Sequence, residues 1–103
     1  SKSLENMNYY KDISFPVICW GMGAHLRRIF LKSAFPKPVS AIIDRDRGGH
    51  GESWQGIPLV TADILREEQY AQSTVLITSV LYADEIKHQL ANMGFSGKVL
   101  TAF

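Results

Sequence analysis

The stretch VICWGMGAHLRR, residues 17–28, decides the fold of this chain. It begins with a continuous apolar run, which is typical of a parallel strand buried on both faces. Two glycines follow directly, and from Ala24 onward apolar residues recur at steps of three and four, as on an amphipathic helix. A strand, a glycine turn and a helix in immediate succession predict a turn that binds a phosphate at the helix N-terminus.

Length and charge restrict the chain to a few classes of protein. At 103 residues it can bury one core, but it is too short for a dinucleotide domain plus a separate substrate domain. The net charge of +1 gives no electrostatic support for a nucleic-acid or membrane partner. No apolar run approaches the roughly 18 residues of a membrane span, and no leader peptide is recognisable. We therefore expect a cytoplasmic fragment of a longer protein, with a linker or docking segment at 1–14 and a domain at 15–103.

The hydrophobic pattern predicts five strands joined by helices. The strands are expected at residues 17–20, 39–43, 57–60, 73–78 and 98–101. Helical patterns begin at Ala24, Thr61 and Ala83, and the glycine-rich stretch 45–56 is expected to be a loop. Pro58 marks its strand as an edge strand, because proline cannot donate to a neighbour. This order predicts an α/β fold: a three-layer, Rossmann-like, doubly wound parallel sheet with strand order 3-2-1-4-5.

Ligands on such sheets bind at the carboxyl ends of the strands, where the strand order reverses. Residues 21–25, 44–47 and 78–82 are expected to line that crevice. The candidate cofactor-binding residues are Gly21, Met22, Gly23, Ala24, His25, Asp44, Arg45 and Thr78.

The two glycines and one acidic residue match part of a dinucleotide fingerprint. Gly21 and Gly23 follow the first strand, and Asp44 ends the second strand 21 residues after Gly23, where a ribose-binding acid is expected. Leu26 occupies the third glycine position, which normally allows close packing of helix and strand. The alternative is that the glycines only turn the chain and Asp44 caps a strand. Because Arg45 follows Asp44, NAD and NADP are not separated by the sequence.

Other polar and aromatic side chains near the turn each have a functional and a structural interpretation. His25 is placed to donate to an anion or to move a proton, or else it is a surface histidine. Arg27 and Arg28 either contact a phosphate or are solvated. His50 and Trp54, in the glycine-rich loop, either cover a bound base or sugar or pack over the edge of the sheet.

The sequence does not contain the residues that several kinds of chemistry require. Cys19, the single cysteine, lies in an apolar run, so we expect a buried and inert thiol rather than a disulfide or a thiolate metal site. No histidine or cysteine pair has metal-ligand spacing. A P-loop and a nucleophile elbow are also missing from the sequence. Catalytic residues are therefore not identified.

Four segments together resemble a known family: ICWGMGAHLRR (18–28), IIDRD (42–46), GIPLV (56–60) and VLIT (75–78). They resemble small Rossmann-like modules of bacterial surface-polysaccharide and teichoic-acid biosynthesis proteins. Similar modules precede the left-handed helix of sugar acyltransferases, where they bind the nucleotide-sugar, and follow the catalytic part of sugar C-methyltransferases. The resemblance covers roughly residues 15–103. The family's turn resembles Gly-x-Gly-x-His-Gly, and Leu26 replaces its last glycine.

The resemblance and the residues lead to three hypotheses. The first is a nucleotide- or nucleotide-sugar-binding module of a glycosyl- or glycerophosphotransferase, with the chemistry in another domain. The backbone amides of Gly21, Gly23, Ala24 and His25 would bind a phosphate, and Asp44 would accept from ribose hydroxyls.

The second hypothesis is a degenerate Rossmann scaffold that docks partner domains. An exposed apolar patch over the crevice, or a crevice plugged by Leu26 and Met22, would favour it. The third is an NAD(P)-dependent oxidoreductase, against which the absence of a proton-transfer pair argues.

Overall fold

The computed structural model describes residue 13, residues 16–32 and residues 38–103. The segment 1–14, predicted as a linker or docking segment, lies outside the described residues except for Ile13, which is buried. Pro36 and Pro38 are predicted from the sequence to end the first helix, and Pro36 also lies outside the described residues.

The described residues form a mixed α/β fold around a six-stranded, mostly parallel sheet. Its strands are β1 (Val17–Trp20), β2 (Val39–Ile43), β3 (Ser53–Trp54), β4 (Ile57–Val60), β5 (Thr74–Ile77) and β6 (Lys98–Thr101). The spatial order is β3-β4-β2-β1-β5-β6. All neighbouring pairs are parallel except β3 with β4, which is antiparallel.

The prediction of five strands in order 3-2-1-4-5 is wrong in strand count and order, because the stretch expected to be a loop contains β3. Gln55 and Gly56 have φ values of +54° and +78°, and two successive positive φ angles are typical of a type I′ hairpin turn. This turn pairs Trp54 with Ile57 and Ser53 with Pro58. The strand β4 is therefore covered on both sides, by β2 and β3, and is not the edge strand that Pro58 indicated.

Helices cover both faces of the sheet. On one face, Leu26 and Ile29 of α1 (Ala24–Lys32) pack in the same cluster as Cys19. On the other face, Ile86 and Leu90 of α2 (Ala83–Asn92) pack with the second set of strand side chains. Between β4 and β5 the expected helix is two short 3₁₀ helices, Ala62–Arg66 and Glu68–Tyr70. None of the helices in the described ranges has the length and apolar character needed to cross a bilayer.

The central strands explain why the sequence shows uninterrupted apolar runs. Every residue of β1 and β5 is buried. Ile18 and Trp20 face α2, whereas Cys19 faces α1, so alternate side chains enter two separate cores. Because each face is covered by a helix, both sets of side chains are apolar, apart from the buried Thr74 at the start of β5. The sheet therefore fixes where the strand ends, and the loops that follow them, are placed.

We predict that Cys19 does not react with thiol reagents in the folded protein. Its side chain is fully buried, and burial raises the pKa of the thiol to about 12, so the reactive thiolate is scarce at neutral pH. Labelling with a disulfide dye should be negligible in the native state and complete in concentrated guanidinium chloride. Rapid labelling of the native protein, at the rate of a free thiol, would contradict the buried position.

Candidate functional site

A cleft of about 750 Å³ lies at the carboxyl ends of the parallel strands. From β1 the chain order extends to β2 and β4 on one side and to β5 and β6 on the other. The loops leaving β1 and β5 therefore diverge, and the space between them is where ligands bind on sheets of this kind. The structure brings all eight predicted residues to this one cleft: Gly21, Met22, Gly23, Ala24, His25, Asp44, Arg45 and Thr78.

Gly21 is required by packing. Its φ is +127°, and a Cβ at this position would lie 2.7 Å from the backbone nitrogen of Ser79. Its N–H donates to the carbonyl oxygen of Ile43 at 3.0 Å, which extends the pairing of β1 with β2 by one residue. The expectation that the Gly21 amide binds a phosphate is therefore wrong, because that donor already has a partner.

Gly23 has a different role from Gly21. A Cβ on Gly23 would meet nothing within 4 Å, and its φ is not positive, so the fold does not require a glycine there. The first helical hydrogen bond at this end runs from the Arg27 N–H to the Gly23 carbonyl. The amides of Ala24 and His25 precede that donor, so they have no acceptor within α1. The absent side chain leaves space in front of these amides.

Leu26 points away from the cleft. It is fully buried and packs between α1 and the sheet, in the cluster that contains Cys19, Ile42 and Leu76. Met22 lines the cleft and is half-buried, with part of its side chain against the same cluster. Leu26 therefore does not fill the cleft, which remains open. A collapsed crevice, which would have favoured the docking hypothesis, is not observed.

Asp44 organises the loop that follows β2. One carboxylate oxygen, Oδ1, accepts from the N–H groups of Asp46 at 2.8 Å and Arg47 at 3.1 Å, and Oδ2 accepts from the Arg47 side chain at 3.2 Å. Burial by itself raises the pKa of this carboxyl, but these three hydrogen bonds and the Arg47 charge outweigh it, so the pKa is below its usual value. A carboxylate offers about four acceptor sites. Asp44 thus caps its own strand and retains limited capacity for a ribose hydroxyl.

Arginine side chains lie at the mouth of the cleft. The Arg45 guanidinium lies 5.3 Å from the centre of the Tyr82 ring, a cation–π contact that joins the loop after β2 to the loop before α2. Arg45 also forms an exposed ion pair with Asp46 at 3.8 Å. Of the two adjacent arginines on α1, Arg28 lines the cleft and Arg27 does not. Of the two arginines that the sequence offers as phosphate contacts, only Arg28 therefore lies at the cleft.

Thr78 holds the two central strand ends together. Its hydroxyl is buried and donates to the carbonyl oxygen of Gly21 at 2.7 Å. The next residue, Ser79, accepts through its hydroxyl from the Tyr82 N–H at 3.3 Å, which shapes the turn into α2. Thr78 therefore positions the glycine turn, and its donor is not free for a ligand.

His25 connects the first turn of α1 to the end of the chain's last strand. Its Nε2–H donates to the carbonyl oxygen of Ala102, and its ring meets Phe103 edge-on at 5.8 Å between ring centres. This bond assigns the proton of a neutral ring to Nε2 and leaves Nδ1 as the remaining acceptor. His25 is therefore a structural contact on the cleft wall, with one nitrogen left for a ligand.

The aromatic loop residues are not brought to the cleft. Trp54 is half-buried and packs against the α1 face of the sheet, at the edge formed by β3 and β4. His50 is exposed and, like Trp54, does not line the cleft. The structure therefore does not bring this pair to the cleft, and packing over the sheet edge describes Trp54.

Two acidic residues of the cleft are not among those expected from the sequence. Asp63 follows β4, and Glu85 lies in the first turn of α2. Asp63 could have been expected at the cleft, because β4 is parallel to β2 and parallel strands end at the same edge of the sheet. Four carboxylates and two guanidinium groups line the cleft, an excess of two negative charges: Asp44, Asp46, Asp63 and Glu85 against Arg28 and Arg45. Among the described residues, no group of three or more potential ligands is placed to hold a metal ion.

Comparison of the chain with protein-family models, with curated proteins and with solved structures found no match.

The two glycines of the turn should differ sharply in their tolerance of alanine. Gly21→Ala forces a positive φ and a backbone clash, and we expect it to cost about 1–3 kcal/mol or more in the free energy of unfolding. Gly23→Ala meets open space and should cost at most about 1 kcal/mol. Urea unfolding followed by circular dichroism measures both. Equal destabilisation by the two variants would contradict the packing described for Gly21.

Asp44 should make stability depend on acid pH. Because its folded pKa is lowered, the stabilisation is present above the unfolded pKa and is lost as pH falls through the folded value. Asp44→Asn should cost about 1 kcal/mol at neutral pH, since the Arg47 pair is removed. The difference in the free energy of unfolding between the unchanged protein and Asp44→Asn should become smaller at acid pH. Urea unfolding at several pH values measures this difference. A difference that does not vary with pH would show that the charge of Asp44 is unimportant.

Proposed function

We propose that this chain is a Rossmann-like module that binds a nucleotide or nucleotide-sugar, within a larger protein of cell-surface polysaccharide or teichoic-acid biosynthesis. Another domain of that protein would carry the transferase chemistry. One observation carries the proposal: the glycine turn, the N-terminus of α1 and Asp44 meet in a single cleft where the strand order reverses. The motif resemblance supports the class of ligand and the biosynthetic context.

The end of the cleft nearest α1 suits a phosphate. The amides of Ala24 and His25 have no acceptor within the helix, and the open space at Gly23 allows a close approach to them. Arg28 adds a positive charge on the same wall. Backbone donors, a helix dipole and one guanidinium together favour an anionic group at this end.

The opposite wall suits hydroxyl groups. Asp44 has acceptor capacity left, and Asp46 and Asp63 add carboxylates along the loops after β2 and β4. Carboxylates accept from sugar hydroxyls but repel further phosphates. A cleft of about 750 Å³ is also within the usual range for a small-molecule site. The ligand we propose therefore has its phosphate at α1 and its sugar hydroxyls toward the acidic wall.

A second candidate function, docking of a partner domain, is favoured by one observation. Val80, Leu81 and Tyr82 are exposed at the rim of the cleft, which is the apolar patch expected of a docking scaffold. The open cleft favours ligand binding. The patch borders the cleft, so a partner docked there would lie beside a bound ligand. An oxidoreductase is disfavoured, because Nε2 of His25 is bonded to the Ala102 carbonyl and Thr78 to that of Gly21.

Titration of the isotope-labelled chain with NAD, NADP and UDP-glucose, followed by NMR, tests the proposed ligand site. We expect amide shifts at residues 22–25 and around Asp44, because these groups face the cleft. An absence of shifts there at millimolar concentrations of all three compounds would overturn the proposal.

The adjacent arginines of α1 provide a matched pair of variants. Both are exposed, but only Arg28 lines the cleft. Arg28→Ala should weaken binding of the best ligand by roughly two- to fivefold at low salt, as expected for an exposed charge contact. Arg27→Ala should leave the affinity unchanged, and calorimetric titration measures both. Equal effects of the two variants would show that the arginines act only through the net charge of the chain.

A further inference from the structure

Exposed large apolar side chains are concentrated at one place on the described surface. Three of the four are consecutive: Val80, Leu81 and Tyr82 have exposed fractions of 56%, 81% and 45%, and the fourth is Val99 on β6 at 37%. The three lie in the turn between β5 and α2, on the rim of the cleft. Contiguous exposed apolar residues on a protein surface mark interaction sites, whereas single ones do not. We define residues 80–82 as the apolar rim.

The apolar rim is held in shape by its neighbours. The Tyr82 N–H donates to the Ser79 hydroxyl at 3.3 Å, and the Tyr82 carbonyl accepts from the Ile86 N–H at 2.9 Å. The Arg45 guanidinium lies over the Tyr82 ring. A surface fixed in this way loses little conformational entropy when a partner covers it.

Two acidic side chains border the apolar rim on the side of α2. Asp84 and Glu85 follow it in the first turn of α2, and neither has an ion-pair partner among the described residues. On the other side, Asp46 is paired with Arg45, which offsets the nearest positive charge. An apolar centre with an acidic border is complementary to a surface that is apolar at its centre and carries lysine or arginine at its edge.

We infer that the apolar rim is a docking surface for a protein partner whose contact region is apolar in the centre and basic at the edge. Four-fifths of the Leu81 side chain is exposed at the rim, and a protein partner can cover it together with Val80 and Tyr82. The surface is distinct from the phosphate end of the cleft, which lies at Gly23 and α1. Docking at the rim would cover the mouth of the cleft from the side of α2.

A pair of synthetic peptides tests the inference with the chain as it exists. The first is an amphipathic helical peptide with leucines on one face and lysines at its borders, and the second replaces every lysine by glutamate. We expect the lysine peptide to shift the amide signals of residues 80–85 and to bind more weakly as salt rises. The glutamate peptide should bind at least about fivefold more weakly, because like charges then meet at Asp84 and Glu85.

Substitutions at two exposed residues distinguish binding at the apolar rim from non-specific hydrophobic binding. Leu81→Ser should weaken the lysine peptide about fivefold or more, as for a residue at the centre of an interface. Val99→Ser removes the other exposed apolar side chain, away from the cleft, and should change nothing. Both residues are exposed, so neither variant should unfold the chain. Equal effects of the two substitutions, or equal binding of the two peptides, would overturn the inference.

Two further measurements identify other occupants of the rim. Sedimentation of the chain at increasing concentration detects self-association, and a dimer that Leu81→Ser abolishes would show that a second copy covers the rim instead. UDP-glucose binding should be reduced by Arg28→Ala and unaffected by Asp84→Lys, a change outside the cleft, while the lysine peptide shows the reverse pattern. Failure of the docking surface is thereby distinguishable from failure of the nucleotide site, and a loss of UDP-glucose binding in Leu81→Ser would assign the rim to the ligand.

Discussion

The close approach of two strand ends, at Gly21 and Ser79, is the constraint on which the rest of the structure depends. No side chain fits at residue 21, because a Cβ there would lie 2.7 Å from the Ser79 nitrogen. Gly21 is also bonded on both sides, through its N–H to Ile43 and through its carbonyl to the Thr78 hydroxyl. Three neighbouring strands are thus joined at their carboxyl ends. The loops beyond them must separate, and the cleft is the space between those loops.

Most polar side chains around this cleft stabilise its walls. Asp44 accepts three hydrogen bonds from its own loop, Thr78 bonds Gly21, and Nε2 of His25 bonds the Ala102 carbonyl. The groups left for a ligand are chiefly backbone amides at α1 and the exposed charges at the rim. Such a set can hold and orient a ligand, but it offers few groups that move protons or attack a bond. The proposed role as a binding module rests on this balance.

The sequence predicts the central strands and the location of the cleft well, because both depend on simple periodic rules. Buried parallel strands must be apolar runs, and their carboxyl ends share one edge, so the glycine turn, Asp44 and Thr78 had to meet. The strand β3 is harder to predict, since it has two residues and its turn places Gln55 rather than Asn or Gly at a positive φ. The roles of individual side chains are harder to predict than the strands. Whether Asp44 binds a ligand or the amides of its own loop depends on a local turn. Leu26 is buried because it lies on the side of α1 that packs against the sheet.

The contact between His25 and Ala102 joins two parts of the chain that are 77 residues apart. It runs from the first turn of α1 to Ala102, whose N–H donates to the Ile77 carbonyl, so the start of α1 is joined to the end of the β5–β6 ladder. Because His25 also lines the cleft, this hydrogen bond ties the cleft wall at α1 to the end of β6. A shift of residue 102 would therefore alter the position of the His25 ring on the cleft wall, although the two residues are far apart in the sequence.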